Sequence, residues 1–322
     1  MDAHALDDAG LPVGGAVSIT APTLAGRARN HGHVRRRMVE HNIRGAEPLP
    51  LLIFGLSAAF PGSNMVFAMI PSRWRGRVRP VDAFAYVVVG AGSAGCVLAA
   101  RLSEDPQNRV LLLEAGPADG PENMAVPPAW PTLIGSEVDW GDTTVPQPAA
   151  DGVARPYPRG KVLGGTSSIN AMAFLRGHRT NYDEWAAAGA TGWGYEDLLP
   201  FFRRAETTEG RDPAYRGTDG PMRVAPASNP NPLAYAYLQA AERLGYHHSD
   251  DLNGADQEGT CWWDLTIVDG TRQSAADGYL RPARDRPNLT VLTDALVHRL
   301  IVADNRCAGV EYSVGDEVRQ VY

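Results

Sequence analysis

Residues 87–102 read VVVGAGSAGCVLAARL, three glycines set between a run of valines and an Ala/Leu-rich stretch. No single regular element accommodates that order. FAYVVVG, from Phe84 to Gly90, is short, apolar and rich in β-branched residues, the pattern of a parallel strand buried on both faces. SAGCVLAARLSED reads as a helix from about Ser93, and RVLLLEAG, from Arg109 to Gly116, as a second buried strand. The reading predicts two adjacent parallel strands, 84–89 and 110–114, joined by a 93–103 helix.

Each glycine has a separate task in such a unit. Gly90 permits the tight turn, Gly92 leaves the backbone open to a phosphate, and Gly95 lets helix and strand approach closely. The helix N-terminus supplies free N–H groups and a partial positive charge. Glu114 stands 24 residues after Gly90, at the second strand end, where an acid accepts hydrogen bonds from an adenosine ribose. Strand before, helix after and acid at the next strand end predict dinucleotide binding on a doubly wound, Rossmann-like α/β fold. Cys96, on the helix, reads as a small packing residue rather than a reactive thiol.

The chain has 322 residues, enough for about two domains. Its net charge of −7 argues against nucleic acid as a partner. Cys96, Cys261 and Cys307 are odd in number and far apart, which suggests neither a disulfide framework nor a zinc site. The expected compartment is therefore the reducing cytoplasm. Residues 1–80 differ from the rest, with a basic run, RARNHGHVRRR, and a charge-free stretch from Pro48 to Ser72. That stretch approaches the roughly 20 apolar residues of a membrane span. Pro50, Pro61, Gly55, Gly62, Ser57, Ser63 and Asn64 interrupt it, and it starts too far in for a secretory signal. The expectation for 1–80 is a poorly ordered extension without membrane association.

A second glycine pair, Gly164-Gly165, is followed by Thr166, Ser167 and Ser168. It fits a second backbone-donor loop for a long cofactor, or a plain turn. In chain order the sequence shows VVVGAGSAGCVLAARLSEDP, EAG, DWGDTTVPQP, GKVLGGTSSINAMAFLRG, NYDEWAAAGATGWGYEDLLPFF, DLNGADQEG and GTRQSAADGYLRPARDRPNLTVLTDALVHRL. With these motifs, residues 82–322 resemble the glucose–methanol–choline (GMC) flavoprotein oxidoreductases, nearest the choline dehydrogenase and alcohol dehydrogenase branch. The resemblance implies that residues 81–322 form the family's N-terminal FAD-binding region, with part of an α+β substrate domain.

The resemblance also implies the cofactor contacts. Gly90, Gly92, Ser93, Ala94 and Gly95 surround the pyrophosphate, and Glu114 meets the ribose. Gly164, Gly165, Thr166 and Ser167 belong to the family's signature loop. Val162 and the segment Asn170, Ala171, Met172 and Ala173 lie along the flavin, mainly through backbone atoms. Val297 meets the adenine through its N–H and C=O. Some members attach FAD covalently through a His before the signature Asn. That position is Ile169 here, so non-covalent FAD is expected. No second G-x-G-x-x-G unit offers a nicotinamide site, so an organic substrate is expected to reduce the flavin directly.

The activity implied is oxidation of the CH–OH group of a small alcohol by hydride transfer to FAD. Whether oxygen or a quinone reoxidises the flavin is left open. A cyanohydrin-cleaving member, or a catalytically inert flavin-binding truncation, is the alternative. Proton removal from the alcohol suits a His. Of the eight, His4, His31, His33 and His41 fall in the extension, His178, His247 and His248 read as surface residues, and His298 reads as a strand residue facing away from the Val297 side chain. No residue is assigned a catalytic or metal-binding role. In the family the catalytic His lies nearer the C-terminus of a longer chain, so the 322 residues read as an N-terminal fragment expected to be inactive alone. CWWDLTI, Cys261 to Ile267, reads as a strand whose Trp262 and Trp263 face either the flavin or the core.

Overall fold

The computed structural model describes residues 83–322 and the backbone of two short strands, Val17–Ile19 and Ala68–Met69. Apart from those strands, the 1–80 extension lies outside the described residues, including most of Pro48–Ser72 and His4, His31, His33 and His41.

The predicted unit forms. Strand β1 (Tyr86–Val89) and strand β2 (Val110–Leu113) pair in parallel, Tyr86 with Val110 through Val89 with Leu113. Helix α1 (Ser93–Leu102) connects them. Strand β3 (Leu289–Leu292) adds in parallel to the far side of β2. Ala68–Met69 pairs antiparallel with Tyr86 and Val87 on the other edge.

The continuous apolar runs in β1 and β2 reflect a sheet covered on both faces. Val88, Val110 and Leu112 point to a layer made by α1 and by residues 275–283, where they meet Cys96, Ala99, Ala100, Ala276 and Leu280. Val87, Val89, Leu111 and Leu113 point the other way, onto Val310, Tyr312 and Val321. Those residues belong to an antiparallel meander of β4 (Ala295–Ala303), β5 (Arg306–Val314) and β6 (Glu317–Val321). Complete burial of such a Val or Leu side chain contributes about 1.5–3 kcal/mol. The buried face of α1 carries only Gly95, Cys96, Ala99 and Ala100, small enough for the helix to lie close against the sheet.

Between β2 and β3 the chain makes a long excursion. Residues 139–160 form a loosely bridged loop, closed by Asp139–Gly160, Thr143–Pro156 and Gln147–Val153. Helices α2 (Arg179–Ala187), α3 (Tyr195–Ala205) and α4 (Pro232–Arg243) follow. CWWDLTI is not one strand: it splits into Thr260–Trp262, Asp264–Leu265 and the start of Ile267–Val268. Asp264 pairs with Phe174 and Pro226, whereas Thr260–Trp262 has a different ladder partner, so the run breaks at Trp263. Trp262 packs edge-on against Tyr235 of α4 at 5.0 Å.

This excursion is knitted by charge. Arg216 is 1% exposed and forks onto Glu206 at 2.8 and 3.2 Å, Asp251 at 2.7 and 2.9 Å and Asp264 at 2.7 Å. Arg176 reaches Glu206 and Arg211 reaches Asp264, so three cations meet three carboxylates. Burial opposes the Arg216 charge, but its hydrogen bonds to Glu206 and Asp251 prevail and hold its pKa above the usual value. Removing one member of a buried ionic set strands its partners and costs about 3–5 kcal/mol. Arg216→Met is therefore expected to lower unfolding stability by about that amount, read as a drop in urea midpoint. An unchanged midpoint would contradict the network's structural role.

Candidate cofactor site

The site grows from the turn after β1. Gly90 has φ +86°, a value that favours glycine, and its N–H continues the parallel ladder to Leu113 C=O at 2.7 Å. A Cβ on Gly95 would sit 1.9 Å from Gly90 O, so α1 packs against the turn only because that position lacks a side chain. Gly92 behaves differently. Its φ of −68° suits any residue, and a Cβ there would meet nothing within 4 Å. Gly92 thus keeps space open rather than relieving strain.

Ser93 and Ala94 are exposed at the start of α1. The first N–H groups of a helix lack intrahelical acceptors. No side chain caps this end and its first turn has no acid, whereas Arg101 sits in the last turn. The terminus therefore presents donors and positive potential with no acid of its own first turn competing, which fits a pyrophosphate.

Glu114 follows β2 directly and is 5% exposed. Its carboxylate accepts from Ala91 N–H at 2.7 Å and Gly116 N–H at 2.9 Å. Burial raises its pKa, opposed by the backbone donors of Gly116, Ala91 and Ala115 and by the charge of Lys161. A carboxylate offers about four acceptor sites, so capacity remains for ribose hydroxyls. Glu114 thus also holds the glycine turn, a role its spacing alone did not reveal.

The second glycine loop docks directly on the first. Gly164 N–H donates to Ala91 C=O at 2.8 Å, and a Cβ on Gly165 would lie 2.6 Å from Gly92 Cα. The loop is not an open donor nest. Gly164, Gly165 and Ser167 donate their N–H groups to Ala91, Val162 and Gly164 carbonyls. The hydroxyls turn inward as well. Thr166 accepts from Gly160 N–H, Ser167 lies between Gly164 C=O and Ala275 N–H, and Ser168 donates to Leu163 C=O. Of the two readings, donor loop or plain turn, the structure has the turn: the polar groups of Gly164, Gly165 and Ser167 close a tight 3₁₀ turn, Gly165–Ser168, and leave a wall.

Beyond that turn, Val162 and Ile169 are fully buried with Leu133 and Val138. Asn170 turns its carbonyl oxygen to Met172 N–H and Arg272, both at 3.0 Å. Met172 has φ +61° and is buried, while its neighbour Ala171 is exposed. Ala173 enters a strand opposite Leu265. Val297 lies in β4 opposite Tyr312, with its side chain against the meander core. Ala295 N–H donates to Glu114 C=O at 2.8 Å, bringing the start of β4 to the same sheet end as Glu114.

The described histidines do not converge on this site. His178 caps α2, His247 pairs with Asp256, His248 with Glu242 at 3.0 Å, and His298 with Ser313 at 2.9 Å. Cys96 donates to Ala91 C=O at 3.1 Å, and burial pushes its thiol up to about 12, as befits a packing residue. A cavity of about 320 Å³, bounded by Ala118, Leu163, Leu280 and Thr293, contains none of the anticipated contact residues. Arg272 and Ala91 were not anticipated. No residue-type pattern marks an alanine whose peptide, rather than its side chain, carries the junction.

The family model for GMC oxidoreductase matches residues 84–322. The human mitochondrial choline dehydrogenase is 45% identical over 249 residues, covering 75% of this chain and 42% of that protein. The oxygen-dependent choline dehydrogenase of Rhizobium etli (strain CIAT 652) is 42% identical over 238 residues, covering 73% of this chain and 43% of that protein. This chain thus spans less than half the length of these relatives. Among solved structures, pyridoxine 4-oxidase from Mesorbium loti superposes with a TM-score of 0.71 at 38% identity, covering 73% of this chain and 47% of that one. An FAD-dependent oxidoreductase from Chaetomium thermophilum gives 0.68 at 30%, covering 74% and 44%. With the paired glycine turns and the Glu114 strand end already in place, this match makes the chain a member of the GMC oxidoreductase family, built on its FAD-binding N-terminal fold.

Proposed function

We propose that this chain is the FAD-binding region of an oxidoreductase acting on the CH–OH group of a small, choline-type alcohol. The observation that carries the reading is the junction at Ala91, where the glycine turn, Glu114 and the signature loop meet around an uncapped helix terminus. In this reading the N–H groups of Ser93 and Ala94 hold the pyrophosphate and Glu114 holds the ribose. The backbone of Val297 meets the adenine. Val162 and the ridge Asn170–Ala173 form a wall along the flavin, with Gly164, Gly165, Thr166 and Ser167 shaping that wall from behind. When bound, FAD supplies the two-electron acceptor for alcohol oxidation. The relatives' names, choline dehydrogenase and oxygen-dependent choline dehydrogenase, support the substrate class.

The cofactor is proposed to be non-covalent. Ile169 occupies the family's attachment position, and its side chain carries no nucleophile and is buried in an apolar cluster. The three cysteines are free thiols, consistent with the reducing cytoplasm as the proposed compartment.

The test is spectroscopic. In an enzyme that joins this region to the C-terminal half its relatives carry, the bound flavin should lose its oxidised absorbance when choline is added without oxygen, and a spectrum unmoved by choline or other small alcohols would count against the substrate class. Acid precipitation should release all the flavin into the supernatant, whereas colour retained by the pellet would disprove non-covalent binding.

Two glycine substitutions separate binding from folding. Gly92→Val should still fold, since a Cβ there meets nothing within 4 Å, at a cost of about 1 kcal/mol for valine at the N-cap, yet fail to retain FAD because the side chain fills phosphate space. Gly95→Val should fail to fold stably, because its Cβ collides with Gly90 O. Thermal melting and FAD titration of the two variants provide the check. Glu114→Ala should weaken FAD and also lower stability, because hydrogen bonds to a charged group contribute about 1.5–3 kcal/mol each.

A further inference from the structure

Two arginines are buried among the described residues, and they differ in one respect. Arg216 is surrounded by Glu206, Asp251 and Asp264. Arg272, 6% exposed, forms no ion pair among the described residues, and every acceptor it reaches is neutral. Its Nε donates to Met124 C=O at 2.9 Å. Its Nη1 donates to Asn170 C=O at 2.7 Å, Asn170 Oδ1 at 3.0 Å and Ser167 C=O at 3.3 Å. Its Nη2 is buried and meets no acceptor among the described residues. Burial pushes the guanidinium down to about 10, with the charge of Asp277 opposing.

An isolated buried charge is costly unless something compensates it. Arg272 grips both ends of the Ser167–Asn170 turn, and through Asn170 Oδ1 it supports the Met172 peptide at φ +61°. An arginine whose fork is bonded to loop carbonyls, with one nitrogen unmatched and no counter-ion, suits a site that receives electron density from outside the chain.

The geometry points to Arg272 as a positioning residue for the flavin: it fixes the Ser167–Met172 segment and holds behind it a positive charge that no carboxylate pairs among the described residues. This inference rests on the FAD reading above. Reduction puts negative charge on a flavin ring, and a fixed cation nearby favours that form. Arg272 thus sets loop geometry through its fork and midpoint potential through its charge. Lysine retains the charge but not the planar fork, so the two roles separate.

The experiment compares FAD-loaded wild type, R272K and R272M by FAD titration, by midpoint potential against reference dyes and by thermal melting. Both variants should bind FAD about tenfold or more weakly, the equivalent of a lost charged hydrogen bond. R272M should shift the potential to more negative values, and R272K should restore it towards wild type without restoring affinity. Wild-type affinity and potential in both variants, whatever the melting temperature, would overturn the inference and leave Arg272 as a core clamp. If R272M does not fold, R272K decides: weakened FAD binding at near wild-type potential supports the inference, and wild-type affinity overturns it. Wild-type protein that takes up no FAD would remove the FAD reading itself, and this inference with it. Variants that match a flavin-binding wild type remove only this inference.

Discussion

The backbone of Ala91 is the constraint on which the site depends. Its N–H is held by Glu114, and its C=O by Gly164 N–H and the Cys96 thiol. The residue is fully buried, so each of these groups must find a partner within the protein. The backbone of one residue therefore joins the end of β2, the first turn of α1 and the signature loop. The close backbone approach of Gly165 to Gly92 follows from that joint. Without it, the open space over Gly92 would have no wall.

Around this junction the molecule uses two kinds of cohesion. The sheet is held by apolar side chains alternating between the α1 layer and the β4–β6 meander. The excursion between β2 and β3 is poor in regular structure, and buried charge does part of the work there. Arg216 and its carboxylates compensate one another and bind distant turns together. Arg272 is bonded to the carbonyls of Met124 and of the signature-loop residues Ser167 and Asn170 instead of acids. The two buried arginines thus differ in their partners, carboxylates for one and carbonyls for the other.

Much of this was legible in the residues. Strands and helix around Gly90–Gly95 follow from local composition and period, and their boundaries moved by only one or two residues. Cys96 behaves as its burial on a small-residue helix face suggested. The reading failed where partners lie far apart in sequence. CWWDLTI reads as one strand, but its pieces pair with different neighbours. At Gly164, Gly165 and Ser167 the residues leave a donor loop and a plain turn both open, and the structure satisfies their groups within the protein. Neither outcome follows from residue type, because each depends on which distant carbonyl happens to be adjacent.

By itself, the sequence determined the parallel unit, the open glycine position, the acid at the strand end and the absence of a nucleophile at Ile169. These depend on side-chain shape and on neighbours within a few dozen residues, which local rules capture. Only the tertiary structure decided that Glu114 also holds the turn, that the second loop is a wall and that Arg272 lies buried behind it without a carboxylate. Those facts concern hydrogen-bond partners up to 148 residues apart. Burial makes each such partner obligatory, but only the folded chain specifies which one is within reach.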